Sequence, residues 1–331
     1  MTTTCRQVAV GPGMLVVVRM TRTVLTTTAV AVTLALAGCS TSAPTATGTA
    51  SGGTRPSTSA TPTTSATPSA AAGTTRAFAA LEQRYGARVG VVALDTADGS
   101  TIAYRADERF AFASTNKAFI AAAVLDAAST ADLDEVVHYD RGDLLAYAPV
   151  TSRHVGEGMT VRALVDAAVR ESDNTAANLL VERLGGVDGV TRCLRGIGDD
   201  VTRVDRVEPE LNTAVPGDPR DTTTPAQSAA DLRSVLVGDA LGADDRALLR
   251  SAMAGTTTGD GTIRAGVPGG WSVADKTGTA SYGVRNDIAL VRPPGRDPVV
   301  LVVFTTHDRE DAEPSDVVVA AATRLVVQRL G

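Results

Sequence analysis

The chain has 331 residues, 44% of them hydrophobic, enough to bury the core of one large domain or two small ones. From residue 76 onward 27 basic side chains face 37 acidic ones, a net of −10 with no basic stripe, which disfavours a nucleic-acid partner. His138, His154 and His307 are scattered without metal-ligand spacing, which disfavours a zinc hydrolase, and no metal or other cofactor is expected.

No Asp or Glu precedes Glu82. Arg19 and Arg22 stand ahead of the apolar run VLTTTAVAVTLALAG, too short to span a bilayer comfortably, so residues 1–38 read as an export signal. The run ends in Leu36-Ala37-Gly38-Cys39, a small-residue cleavage site whose cysteine resembles the lipobox of bacterial lipoproteins. That resemblance implies acylation of Cys39; an ordinary signal peptide with an incidental cysteine is the alternative. Residues 1–19 look surplus to this signal, and a true start at Met20 is expected. From Ser40 to Thr75 the composition narrows to Ser, Thr, Ala, Gly and Pro with a single Arg55, which cannot offset the entropy of ordering. Residues 39–75 therefore read as a disordered tether. The expected location is extracytoplasmic, anchored on the outer face of the cytoplasmic membrane through Cys39, or secreted. Behind the tether only Cys193 remains, so no disulfide can form within residues 76–331.

The segment ARVGVVALDTADGSTIAYRADERF alternates apolar and polar residues around Asp98-Gly99, the pattern of a β-hairpin. The middle of the chain differs. TNKAFIAAAVLDAAS, TVRALVDAAVRESDNTAANLLVERLGG and TPAQSAADLRSVLVG are alanine-rich and mostly helical. Toward the end, WSVADKTGTAS, RNDIALVRP and PVVLVVFTTH repeat the strand signature, and SDVVVAAATRLVVQRL is helical in period with Ser315 as its expected N-cap. The fold class expected is α/β (α+β): an antiparallel-sheet lobe built from both chain ends, 76–112 and 255–331, with an all-α lobe, 113–254, inserted between them. The functional site is expected in the cleft between these lobes.

Of 31 basic residues only Lys117 and Lys276 are lysine. A solvated surface charge can be either residue, but a lysine amine can lose its proton when desolvated or placed near another cation, whereas a guanidinium stays charged. Chance survival at two surface positions is the bland alternative. The company of the two lysines argues against it. Ser114 and Lys117, in STNK, lie three apart at the start of a helical stretch and so share one face. A serine hydroxyl is a poor nucleophile until a base takes its proton. An amine can be that base if its pKa falls from about 10.4 toward roughly 7 to 8. Lys276 would supply the nearby charge and itself stay protonated. Ser-x-x-Lys alone is weak, but Ser172-Asp173-Asn174 and Lys276-Thr277-Gly278 follow it, and the trio in this order is a known hydrolase signature.

From about residue 76 to the end, the chain resembles the class A serine β-lactamases. AYAPVTSRHVGEGMTV resembles the stretch ahead of that family's Ser-Asp-Asn motif, RVEPELNTAVPGDPRDTTTP its Ω-loop, and DGTIRAGVPGGWSVADKTGT the approach to its Lys-Thr-Gly strand. The resemblance implies a monomer that hydrolyses β-lactams through a serine acyl-enzyme. Ser114 is then the nucleophile, Lys117 its proton partner, and Ser172 the relay to the departing nitrogen. Glu208, with Asn212, would activate the water that releases the acyl group. Whether Glu208 or Lys117 deprotonates Ser114 is open. The backbone N–H groups of Ser114 and Thr279 would form the oxyanion hole. Asn174 would hold the substrate's side-chain amide, Tyr147 would wall the cleft, and Lys276, Thr277, Gly278, Thr279 and Arg285 would bind its carboxylate. Without the motifs, Tyr147 would read as a turn tyrosine and Arg285 as one more surface arginine. Arg206 and Asp221 read as a structural ion pair closing the Ω-loop. Asn116 departs from the phenylalanine more usual in the family, and Ala113 and Ala280 stand where some serine carbapenemases carry a cysteine pair. The nearest rival is a penicillin-sensitive D-Ala-D-Ala peptidase, which lacks a deacylating base; a non-catalytic β-lactam-binding lipoprotein is the rival from another class.

Overall fold

The computed structural model describes residues 68–330; the export signal, Cys39 and the tether up to residue 67 lie outside the described residues. In chain order the elements are α1 (Pro68–Tyr85), β1 (Arg88–Asp95), β2 (Thr101–Tyr104), β3 (Phe110–Ala111), α2 (Lys117–Ala127), α3 (Thr130–Asp134), β4 (Val136–Val137) and β5 (Met159–Thr160). There follow α4 (Val161–Arg170), α5 (Asn174–Arg183), α6 (Val187–Gly196), β6 (Thr222–Thr223), α7 (Pro225–Leu236), α8 (Ala243–Ala254) and α9 (Ile263–Gly266). The last are β7 (Ser272–Ala280), β8 (Val284–Arg292), β9 (Val299–Thr306) and α10 (Asp316–Val327). A 3₁₀ turn, Ala113–Asn116, runs straight into α2.

Five strands form one antiparallel sheet in the order β2-β1-β9-β8-β7, so the first hairpin pairs with strands from the far end of the chain. The hairpin expected around Asp98-Gly99 is present, with Val91 opposite Tyr104 and Leu94 opposite Thr101. Because side chains alternate across a strand, the runs VGVVAL and VVLVVF feed two cores. Val89, Val91 and Ala93 pack with Leu301 and Val303 against Phe78, Val318 and Val319 of α1 and α10. Val92, Val302 and Phe304 face the other way, into the core shared with the helical lobe. A side chain at Gly90 would collide with the Phe110 ring at 2.5 Å and with Pro225 at 2.8 Å, so this glycine admits α7 close to the sheet.

The helical lobe is built round α2. Its sequence, KAFIAAAVLDA, is apolar on all sides rather than amphipathic, and Lys117 through Leu125 are all buried. A central helix of this kind carries the lysine at its first position into the interior. The stretch 160–186, read as one mostly helical segment, is broken at Ser172, whose φ of 56° ends α4. Asp173 restarts the chain as α5 by accepting a hydrogen bond from Ala176 N at 2.9 Å. Two other expectations shift. α1 begins at Pro68, inside the end of the segment read as tether, because proline suits the first helical position and the alanines behind it favour helix. Ser315 holds the N-cap position of α10 but makes no side-chain cap bond.

Candidate active site

The 3₁₀ turn carrying Ser114 lies against the inner edge of the sheet at β7. A side chain at Gly278 would sit 3.0 Å from both Phe112 O and Ser114 N, so only glycine lets the strand approach this closely. Asn286 on β8 ties the same turn down, donating to Ala111 O at 2.7 Å. Ala113, just before the serine, has φ of 48°, a left-handed conformation strained for a residue with a Cβ.

Beneath the serine lies a buried polar cluster. Ser114 Oγ donates to Glu208 Oε1 at 3.2 Å, and Lys117 Nζ approaches the same oxygen at 2.9 Å. Lys117 also donates to Ser172 O at 2.8 Å and Asn174 Oδ1 at 2.5 Å, with Ser172 Oγ 3.4 Å away. From the other side Lys276 Nζ donates to that hydroxyl at 3.0 Å and to Thr277 O at 2.7 Å. The Ser172 hydroxyl thus stands between the two amines. Burial lowers the pKa of Lys117, opposed by the charge of Glu208. Lys276 is pulled down to about 7, chiefly by burial and then by the charge of Lys117. Full burial thus bears on the expectation that Lys276 stays charged, bringing its titration toward neutrality.

Glu208 is fixed at both ends. Asn212 Nδ2 donates to its Oε2 at 2.5 Å, while Asn178 grips its backbone, donating to Glu208 O at 2.8 Å and accepting from Glu208 N at 3.0 Å. The loop bearing Glu208 is closed by Arg206 and Asp221, whose Nε and Oδ2 are 2.5 Å apart. Asp221 is fully buried and its other oxygen accepts from the backbone N–H groups of Asp205 and Arg206, both at 2.9 Å.

Above the cluster opens a cleft of about 380 Å³ lined by Ser114, Tyr147, Ser172, Asn174, Asn212, Thr258, Thr277, Gly278, Thr279 and Arg285. All but Thr258 were singled out in the sequence. Tyr147 stands at the rim, 50% exposed, and its carbonyl accepts from Asn174 N at 3.0 Å. Arg285 is aimed along β7: it donates to Thr279 Oγ1 at 3.1 Å and Thr258 O at 2.9 Å, and pairs with Asp316 at 2.5 Å. Thr258 Oγ1 lies 2.6 Å from Thr277 Oγ1. A wider groove, about 480 Å³, lies outside the Arg206–Asp221 loop, but its Arg88, Arg109 and Arg220 side chains are already engaged by protein oxygens. The residues singled out in the sequence gather in the smaller cleft.

Sequence reasoning missed Asn178, Thr258 and the work of Asp173. Asn178 follows Asn174 by one helical turn, so the i, i+4 spacing was the available signal. Asp173 is buried and accepts from Val150 N and Thr151 N, both at 2.9 Å, fastening the Tyr147 segment to the start of α5. Among the described residues no cluster of His, Cys, Asp and Glu could hold a metal ion.

Three comparisons bear on this geometry. The model of the "Beta-lactamase enzyme family" matches residues 73–330. The chain is 53% identical over 254 residues to a β-lactamase of Amycolatopsis lactamdurans, covering 77% of this chain and 84% of the relative. It is 52% identical to β-lactamase AST-1 of Nocardia asteroides, covering 77% and 83%. Its fold is similar to that of a class A β-lactamase from Clostridium kluyveri, with a TM-score of 0.76 at 46% identity, covering 77% of this chain and 98% of the other.

Proposed function

The chain belongs to the class A β-lactamases, and from that premise we propose that its reaction runs on the side chains gathered in this cleft. It hydrolyses the β-lactam amide through a serine acyl-enzyme and so gives resistance to β-lactam antibiotics. Ser114 attacks the lactam carbonyl while its proton passes to Glu208 or Lys117, which share one carboxylate oxygen beside it. The oxyanion is received by the backbone N–H groups of Ser114 and Thr279; one such donor is worth roughly 10² to 10³ in rate. Ser172 passes a proton to the leaving nitrogen and is resupplied by the amines on either side of it. Glu208, with Asn212, then takes a proton from the water that hydrolyses the ester.

Substrate recognition follows the same logic. Lys276, Thr277, Thr279 and Arg285 present cations and hydroxyls to the substrate carboxylate along β7, Asn174 meets its side-chain amide, and Tyr147 walls the mouth of the cleft. Arg206 and Asp221 act structurally, holding the loop that bears Glu208. Breaking a buried pair of this kind costs about 3–5 kcal/mol.

One observation carries the choice of hydrolase over peptidase: a buried carboxylate, Glu208, held by Asn212 and Asn178 within 3.2 Å of the Ser114 hydroxyl. It supplies a base for deacylation. The purified protein is expected to turn over a chromogenic cephalosporin, and Glu208→Ala to accumulate acyl-enzyme visible by intact mass. A single stoichiometric burst from the wild type would point to a peptidase or sensor; rapid acyl release from the variant would overturn the role of Glu208.

We further propose that the protein acts outside the cytoplasm as a monomer, exported by residues 1–38 and held at the membrane through acylated Cys39 and the Ser/Thr/Pro/Ala tether. The composition of those segments supports this. Among the described residues no helix is long and apolar enough to cross a membrane.

A further inference from the structure

Two polar side chains of the serine turn are used by neither the cleft nor the reaction: Thr115, which donates to Phe112 O at 2.7 Å, and Asn116. Asn116 is 2% exposed, and neither Nδ2 nor Oδ1 has a hydrogen-bond partner in the protein. An amide carries two N–H bonds and an acceptor oxygen, and a native interior rarely leaves such a group unpaired, because its lost hydration must be replaced.

The surroundings indicate what replaces it. Asn116 lines a narrow cavity, separate from the cleft, whose wall is mostly apolar, including Ile120, Val181 and Leu211, with Asn178, Arg206 and Glu208 among its polar residues. The space inside accepts about one water molecule and nothing larger. A wholly apolar cavity stays empty, but an unpaired amide in the wall gives a water polar partners to bind. Asn116 contributes a donor and an acceptor, and the polar residues Asn178, Arg206 and Glu208 line the same space.

We propose that Asn116 holds a buried water against the loop bearing Glu208, and thereby acts as a positioning residue for deacylation. The water links the turn that carries the nucleophile to the loop that carries the base. A phenylalanine or leucine here would fill the space with carbon and leave that link to packing alone. The inference rests on the role proposed for Glu208.

A high-resolution crystal structure of the mature protein tests it first: an ordered water is expected within hydrogen-bond reach of the Asn116 amide and of loop 206–211. Asn116→Leu removes both polar atoms and keeps the branched outline, with methyl groups in place of the amide. Deacylation is expected to slow about 3- to 10-fold, the worth of one or two solvent-bridged hydrogen bonds, with acylation within about twofold of wild type. Asn116→Ser, which keeps a hydroxyl, is expected to retain the water and deacylate within about twofold of wild type. Should the leucine variant fail to fold, Asn116→Val is expected to show the same split between the two steps. A wild-type cavity without water, or an apolar variant that deacylates normally, overturns the role of Asn116. Glu208→Ala separates the two readings: free deacylation by that variant removes the role of Glu208 and with it this link, whereas failure at Asn116 alone leaves Glu208 untouched.

Discussion

Replacing Asn178 with alanine removes the clamp on Glu208 without touching the substrate cleft. Two hydrogen bonds are lost, Asn178 Nδ2 to Glu208 O at 2.8 Å and Glu208 N to Asn178 Oδ1 at 3.0 Å. Each contributes about 0.5–1.5 kcal/mol net, and burying the freed backbone groups adds about 1–3 kcal/mol. Glu208 is only 3% exposed, so the groups cannot regain full hydration without the loop moving. If about 2–3 kcal/mol of this is spent displacing the carboxylate, deacylation falls about 30- to 140-fold, since each 1.4 kcal/mol is tenfold in rate. Acylation falls less, because Lys117 keeps its own contacts to Ser172 and Asn174. Stopped-flow acylation and intact-mass decay of the acyl-enzyme measure the two steps separately, with thermal melting as a check on folding. Equal losses in both steps, or deacylation within twofold of wild type in a folded variant, would refute the clamp.

Three further outcomes are expected. Lys276 loses its proton as pH rises through about 7, so kcat/KM for a carboxylate-bearing β-lactam should fall above neutrality. Lys276→Arg keeps the charge, should be less active because a planar fork replaces a compact ammonium, and should lack this alkaline limb; a limb unchanged in the arginine variant would refute the assignment. The buried Asp231 carboxyl is pushed up to about 8, chiefly by burial and by Asp199 beside it. The folded protein therefore keeps a proton that the unfolded chain releases between about pH 4 and 8, and this group costs stability increasingly across that window. Asp231→Asn mimics the protonated form, so its stabilisation should grow with pH by at most about 1.4 kcal/mol per unit; equal shifts in melting at pH 5 and pH 8 would contradict this. Finally, metabolic labelling with a fatty-acid analogue should mark the wild type and not Cys39→Ser, and an unlabelled wild type would refute the anchor.

The chemistry of this cleft was legible where it is local. Ser114 and Lys117 sit one helical turn apart, Ser172 and Asn174 belong to one tight turn, and Lys276, Thr277 and Thr279 lie on one strand, so each group has a short sequence signature. What was hidden depends on dihedrals and distant packing. The φ of 56° at Ser172 splits what reads as one helical stretch, and nothing in the side-chain pattern announces it. Thr258 enters the cleft only because its hydroxyl meets Thr277 from a loop with no motif. The lowered pKa of Lys276 depends on complete burial and on the nearness of Lys117, neither of which spacing along the chain reveals. Ser315 failed as a side-chain cap although its position was right.

The pairing of β1 with β9 also governs when this enzyme can first exist. Thr96 bonds to Pro298, 202 residues further on, and Lys276 must reach Ser172 across 104 residues. Contacts this distant in sequence cannot reward the chain until its late segments are available, and they slow folding. A nascent chain lacking β7–β9 would carry Ser114 and Lys117 without Lys276, Thr279 or the partner strand of β1. Ser114 and Lys117 are thus synthesised well before the strands that complete the cleft around them.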